Sequence, residues 1–281
     1  MSIKNYVGRG LATLALAGSL FLSGCGDSPK PVNPPKPVNL ERRLSQEVAI
    51  QNHTEDKYAV IISGNTDYRH KANLSLAYQV LLENGFQREN VYILDNKGDK
   101  TAFYPVDDIA SKEAIGMLFG HLAKKVDSKD LLFVYTTDHG RRKSINEEVN
   151  GETKRTKVSV LVLPYGDLLE TEMVKYLSDV HPKVGVLVFD QCYSGGFAKR
   201  TGTGNYIGIS ASEADRASKA NTFPQAFFNS WRDKKSDENK DGRISIKEAF
   251  DYAVANDSYA QSKAQIPQVF SNINTDKVFL K

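Results

Sequence analysis

Cysteine is scarce in this chain: 281 residues contain only Cys25 and Cys192. No framework of several disulfides can be built from two thiols. Charge of one sign is also lacking. Lys and Arg number 37 against 34 Asp and Glu, a formal net charge of +3. Lys4 and Arg9 supply two of those charges, so the remainder is nearly balanced and gives no reason to expect a nucleic-acid partner. Long apolar runs are missing as well. Leu11 to Leu22 spans 12 residues, too short for a helix crossing a hydrocarbon core of about 30 Å. What remains is a globular composition, 40% hydrophobic, 25% charged and 10% aromatic, able to bury a sizeable core.

The amino terminus carries its own pattern. A short basic stretch, MSIKNYVGRG, precedes the apolar run, and residues 1–24 read as a secretory signal peptide. Its end, LSGC (Leu22 to Cys25), resembles the bacterial lipoprotein processing site. The resemblance implies cleavage before Cys25, lipid on that cysteine, and a membrane-anchored extracytoplasmic protein, periplasmic or cell-surface. Residues 25–44 are Pro-rich and repeat KPVN at 30–33 and 36–39. They read as an extended tether, rising about 3.1 Å per residue. With Cys25 lipidated, Cys192 is the single free thiol, either buried and inert or kept for chemistry.

Residues 45–281 read as one domain. Near-continuous apolar strands at Lys57–Asn65, Asn90–Asp95, Asp130–Gly140, Lys183–Cys192 and Asn205–Ser212 alternate with helical patterns. Such alternation predicts an α/β fold, a mostly parallel central sheet flanked by helices. Lys157–Pro164 reads as one arm of a short hairpin, and the tail from Gln265 as a returning strand. The charged segment Arg141–Thr156 reads as a solvated loop beside the site. In open α/β sheets the functional groups lie beyond the carboxyl ends of the strands. That rule gathers GNTDYRH (64–70), TTDHG (136–140) and DQCYSGG (190–196).

Those stretches hold the parts for acyl transfer. Cys192 is the candidate nucleophile and His139 the candidate acid/base. The N–H of Gly140, with no side chain to obstruct it, pairs with that of Cys192 as a candidate oxyanion hole. His53, His121 and His181 have no such context; His70 is read as a support beside the site.

A strand ending in His-Gly followed by a later strand ending in Cys resembles the caspase-like cysteine peptidases. The stretches 64–86, 136–140 and 212–218 are most similar to the legumain group, and the glycosylphosphatidylinositol transamidase subunit shares them. The resemblance implies a caspase-like three-layer fold and a cysteine endopeptidase acting through a Cys192 thioester, with His139 as acid/base. It implies a protein or peptide substrate, cleavage after Asn or Asp, and no organic cofactor. Arg69, Asp190 and Ser218 match residues of the pocket for the side chain before the scissile bond. Asp67 stands where the family has an asparagine that orients the histidine. An Arg and an Asp in one pocket can read the two ends of a carboxamide, or pair with each other. Asn146 and Asn150 would then be candidate self-cleavage sites. Two alternatives stay open: a transpeptidase or transamidase using the same acyl-enzyme, and a catalytically inactive calcium-binding surface protein.

The calcium expectation comes from DENKDGRISIKE (237–248), which fits the EF-hand loop. Asp237, Asn239 and Asp241 stand at positions 1, 3 and 5, Gly242 at the turn, Arg243 at the carbonyl position, Ser245 at 9 and Glu248 at 12. A lone loop predicts a structural or modulatory Ca²⁺.

Overall fold

Near-continuous apolar runs alternate with helical spacing along the chain, and the strands and helices of the structure follow them. This is a computed structural model describing residues 35–47, 55–96, 98, 103–219 and 222–281. In chain order the elements are α1 (Val38–Gln46), β1 (Lys57–Ser63), α2 (Tyr68–Glu83), β2 (Val91–Asp95), α3 (Lys112–Lys125) and β3 (Leu131–Thr136). Then come β4 (Gly140–Val149), β5 (Glu152–Leu161), β6 (Leu168–Leu169), α4 (Glu170–Leu177), β7 (Val184–Phe189) and α5 (Gly195–Thr201). The last are β8 (Tyr206–Ser210), α6 (Thr222–Asn229), α7 (Ile246–Asn256), α8 (Ser258–Gln261) and β9 (Gln268–Ser271).

The main sheet has six strands in the order β2-β1-β3-β7-β8-β9. Its first five run parallel, and β9 closes the edge antiparallel to β8. Alternate side chains of each strand enter different cores. Ala59, Ile61, Phe133 and Tyr135 pack with Leu74, Phe223, Phe227 and Phe228 on one face. Tyr58, Val60, Ile62, Leu132 and Val134 pack with Leu118, Phe119 and Met173 on the other. The result is the three-layer, mostly parallel α/β architecture of the caspase-like fold.

Two expectations are corrected. The tether does not run to residue 44, because residues 38–46 form α1, docked on the domain. Leu40 is fully buried, a contribution of about 2 kcal/mol. Its N–H donates to Asp108 Oδ2 at 2.9 Å, and Arg43 Nη1 and Nη2 donate to the carbonyls of Val91 and Glu89. The expected signal peptide, Cys25 and residues 25–34 of the tether lie outside the described residues, as does His53.

The second correction concerns residues 141–156, which are a β-hairpin rather than a loop. Its arms β4 and β5 pair antiparallel over ten positions, from Gly140↔Leu161 to Val149↔Glu152. Asn150 (φ 55°) and Gly151 (φ 80°) make the turn. Two successive positive φ values are what a two-residue type I′ hairpin turn requires, and Asn-Gly accommodates them best. Arg200 on α5 braces this second sheet, donating to Glu147 at 2.9 Å and to Glu170 at 2.7 Å. Among the described residues, no helix is long and apolar enough to cross a membrane.

Candidate active site

Strand register brings the two key stretches level. Thr136, the last residue of β3, pairs with Phe189, the last of β7. His139 and Cys192 each follow three residues further on. The pairing persists past the strands: Asp190 N donates to Thr136 O at 2.9 Å, and Thr136 Oγ1 donates to Gln191 Oε1 at 2.8 Å.

Gly140 lies against the backbone of Cys192. A Cβ on Gly140 would come within 2.9 Å of the Cys192 N and C atoms and nearer still to its O. Only glycine permits this approach, which is a stronger reason for the residue than an unobstructed N–H alone. Cys192 is partly exposed and in no disulfide. Its sulfur has Ser218 as polar company, with the carbonyl oxygen at 3.9 Å and Oγ at 4.0 Å. Ser218 Oγ in turn donates to the carbonyl of Asp190 at 3.0 Å. No hydrogen bond joins Cys192 to the His139 ring, a looseness common where no substrate is bound. The turn after the thiol is strained: Tyr193 has φ 63°, a left-handed conformation rare for a bulky residue. Its N–H donates to Arg216 O at 2.9 Å, tying the turn to the segment that carries Ser218.

Behind these residues runs a buried polar chain. His70 Nδ1 lies 2.8 Å from Thr137 Oγ1, and Thr137 Oγ1 donates to Asp190 Oδ2 at 2.9 Å. Asn73 Nδ2 reaches the same oxygen at 3.4 Å. Asp190 is therefore not an open pocket wall. It is 5% exposed, with Oδ1 unpartnered. Its place directly after a fully buried strand carries it inward. Burial pushes its carboxyl pKa up to about 7, against a smaller downward pull from the Thr137 hydroxyl. His70 is 3% exposed, and burial, with Arg69 and His139 adding to it, lowers its pKa to about 3.

The electrostatics at His139 are mixed. Its half-buried imidazole has a lowered pKa, first from desolvation and then from the Arg69 cation; Asp67 pushes it the other way. Arg69 Nε sits 4.0 Å from Asp67 Oδ2. Asp67 is exposed and precedes α2 without capping it through its side chain. Asp138 is buried and accepts the His139 backbone N–H; burial raises its pKa to about 7. Thr137, Asp138 and Asn73 were not singled out by sequence. The available signal was polar residues where apolar ones are expected: at the end of a buried strand, and one turn after His70 on a buried helix face.

The EF-hand-like loop sits elsewhere, between α6 and α7. Asp237 accepts from Asp241 N and Gly242 N at 3.1 and 3.0 Å, Asn239 Oδ1 from Asp241 N at 2.8 Å, and Asp241 Oδ1 from Arg243 N at 2.9 Å. Glu248 caps α7, accepting from Ser245 N at 2.9 Å, and also takes Asn239 N at 3.2 Å. Ser245 bridges to Phe279, so the carboxyl terminus braces the loop. A separate charged concavity, lined by Lys57, Asp130, Lys183 and Lys281 among others, lies at the amino ends of the same parallel strands, opposite the thiol.

A parallel sheet whose neighbouring strands end in His-Gly and Cys defines a caspase-like cysteine hydrolase architecture. Comparison with known proteins agrees. The model of the Peptidase C13 family matches residues 104–276, which include His139 and Cys192. The chain belongs to that family, and membership points to cysteine peptidase activity on protein or peptide substrates. The crystal structure of protein GSU0716 from Geobacter sulfurreducens is similar in fold, with a TM-score of 0.56 at 15% identity over 80% of this chain and 97% of that one. No curated protein matches the chain.

Proposed function

We propose that this chain is a cysteine endopeptidase with Cys192 as nucleophile and His139 as acid/base. The supporting observation is the meeting of two strand ends: His139 and Cys192 each stand three residues past the Thr136–Phe189 pair, and Gly140 packs on the Cys192 backbone. The Cys192 sulfur bonds to the peptide carbonyl carbon as His139 takes its proton. The N–H groups of Gly140 and Cys192 receive the oxyanion. Collapse breaks the C–N bond, His139 returns the proton to the leaving amine, and water assisted by His139 hydrolyses the thioester. Desolvation, with Arg69 adding to it, favours the unprotonated form of His139, as the first step needs. Arg69 and Ser218, both partly exposed, contact the side chain before the scissile bond, an Asn or Asp; Asp190 backs them. Cys192→Ala is expected to abolish turnover and labelling by a thiol-directed acyl probe, and His139→Ala to cost nearly as much. Hydrolysis surviving in Cys192→Ala refutes the reading. Products carrying an added amine would redirect it to transfer.

Two further parts of the proposal concern the rest of the chain. Residues 237–248 bind Ca²⁺ through Asp237, Asn239, Asp241, the Arg243 carbonyl and Glu248; their oxygens already turn inward on the loop's own N–H groups. Lipid on Cys25 anchors the protein at an extracytoplasmic membrane surface, a reading supported by LSGC at residues 22–25. Cys25→Ser should move the protein from the membrane fraction to the soluble one.

A further inference from the structure

Beside the thiol, three side chains bring metal-binding atoms together. Asp67, His70 and His139 each offer one such atom, and these lie within 4.8 Å of one another, the one group of its kind among the described residues. Asp67 and His70 come from the start of α2, His139 from the segment after β3. The Cys192 sulfur is not a member.

The second observation is the tautomer of His70. Thr137 has one hydroxyl proton, and it is donated to Asp190 Oδ2. Asn73 Nδ2 reaches the same oxygen. With the Asp190 carboxyl ionised, Oδ2 only accepts, and the His70 Nδ1 contact at 2.8 Å is Nδ1–H donating to Thr137. That leaves Nε2 with a bare lone pair, buried and without any hydrogen-bond partner. The His70 and His139 rings meet edge to face with centroids 5.8 Å apart. A second group holding a ligating imidazole by its other ring nitrogen is the usual way a metal-binding histidine is oriented.

We propose that Asp67, His70 and His139 form an inhibitory site for a divalent transition-metal ion, with zinc the best match. Two imidazoles and a carboxylate suit zinc, whereas calcium prefers oxygen alone. The donors must close in, since zinc bonds are about 2.0–2.2 Å. Asp67 is exposed and His139 half-buried, so both have room to move. Arg69, the present neighbour of Asp67, is itself 39% exposed and can turn to solvent. The bound ion takes the lone pair of His139 and stops proton transfer without touching the thiol. Its effect on activity rests on the proposed role of His139; its binding does not.

Cys192→Ala protein, with excess calcium present to occupy oxygen sites, is titrated calorimetrically with ZnCl₂. One equivalent should bind, with affinity falling at least about tenfold when His70→Asn is added. That change leaves a polar group facing Thr137 and removes Nε2. Asp67→Asn, at an exposed position, should weaken binding in the same direction and carries the comparison if the His70 variant does not fold. Absence of zinc binding, or affinity indifferent to both changes, overturns the site. In the unmodified enzyme ZnCl₂ should suppress turnover and a chelator restore it; binding without suppression overturns the inhibitory role. An enzyme with no turnover under any metal condition would count against the peptidase reading, while the Cys192→Ala titration would still report on the site.

Discussion

Gly140 and Cys192 touch through their backbones, closely enough that the histidine strand has no room for a side chain at this position. In the proposed mechanism the N–H groups of these two residues receive the oxyanion, and a side chain on Gly140 would force them apart. Gly140→Ala should therefore lower kcat by about 10²-fold or more. Steady-state kinetics check this, with a thermal melt to report any loss of fold. A wild-type kcat would remove the oxyanion-hole assignment.

Arg69 and Asp67 pull the pKa of His139 in opposite directions. As a base, His139 must be unprotonated, so activity rises as pH rises through its lowered pKa. Arg69→Gln removes a cation and should move that acidic limb to higher pH. Asp67→Asn should move it lower. The pH profile of kcat/KM tests both, independently of any overall drop from lost substrate contacts. Proton NMR of His139 in Cys192→Ala protein gives the same shifts without substrate.

Asp190 makes stability depend on pH in an unusual sense. Its folded pKa is about 7 against an ordinary 3.8. The fold favours its protonated form, so its contribution is fully present below 3.8 and is lost as pH rises through 7. Asp190→Asn has no such dependence. Wild-type stability minus variant stability should fall between about pH 4 and pH 8, by up to about 4 kcal/mol. His70, with its lowered pKa, acts in the opposite sense but is common to both chains. Denaturant melts across that range decide the matter; a constant gap would show that Asp190 ionises at its ordinary pKa.

Calcium should raise the melting temperature through residues 237–248. At sites of extracellular affinity, millimolar Ca²⁺ adds about 1–3 kcal/mol. Asp237→Asn keeps one acceptor oxygen but loses the charge, and should abolish the increment. An equal calcium shift in the variant would rule out the loop.

Much of this arrangement was legible in the sequence because it is periodic or local. Buried strands such as Leu131–Thr136 announce themselves by composition, and the carboxyl-end rule then brings His139 to Cys192. The hairpin was missed although Asn150–Gly151 is the strongest short hairpin signal: its arms are charged, because most of both faces meets water. Helix α1 was missed because the prolines before it and the repeated KPVN mask its apolar anchors, Leu40 and Leu44. Asp190 was misplaced for a different reason. Position in sequence gives its distance from the thiol but not whether its side chain turns toward substrate or toward Thr137. The His70–Thr137–Asp190 chain joins three elements and has no linear signature at all.

The long hairpin has a consequence for what a cut at its tip would do. Asn150 and Gly151 are exposed, while ten rungs hold β4 to β5 and the parallel sheet holds the remainder. Scission of the Asn150–Gly151 bond would leave two polypeptides locked as one particle. It would migrate as intact protein in a native gel and separate only when denatured, so a processed molecule would keep its shape while gaining two new chain ends at the hairpin tip.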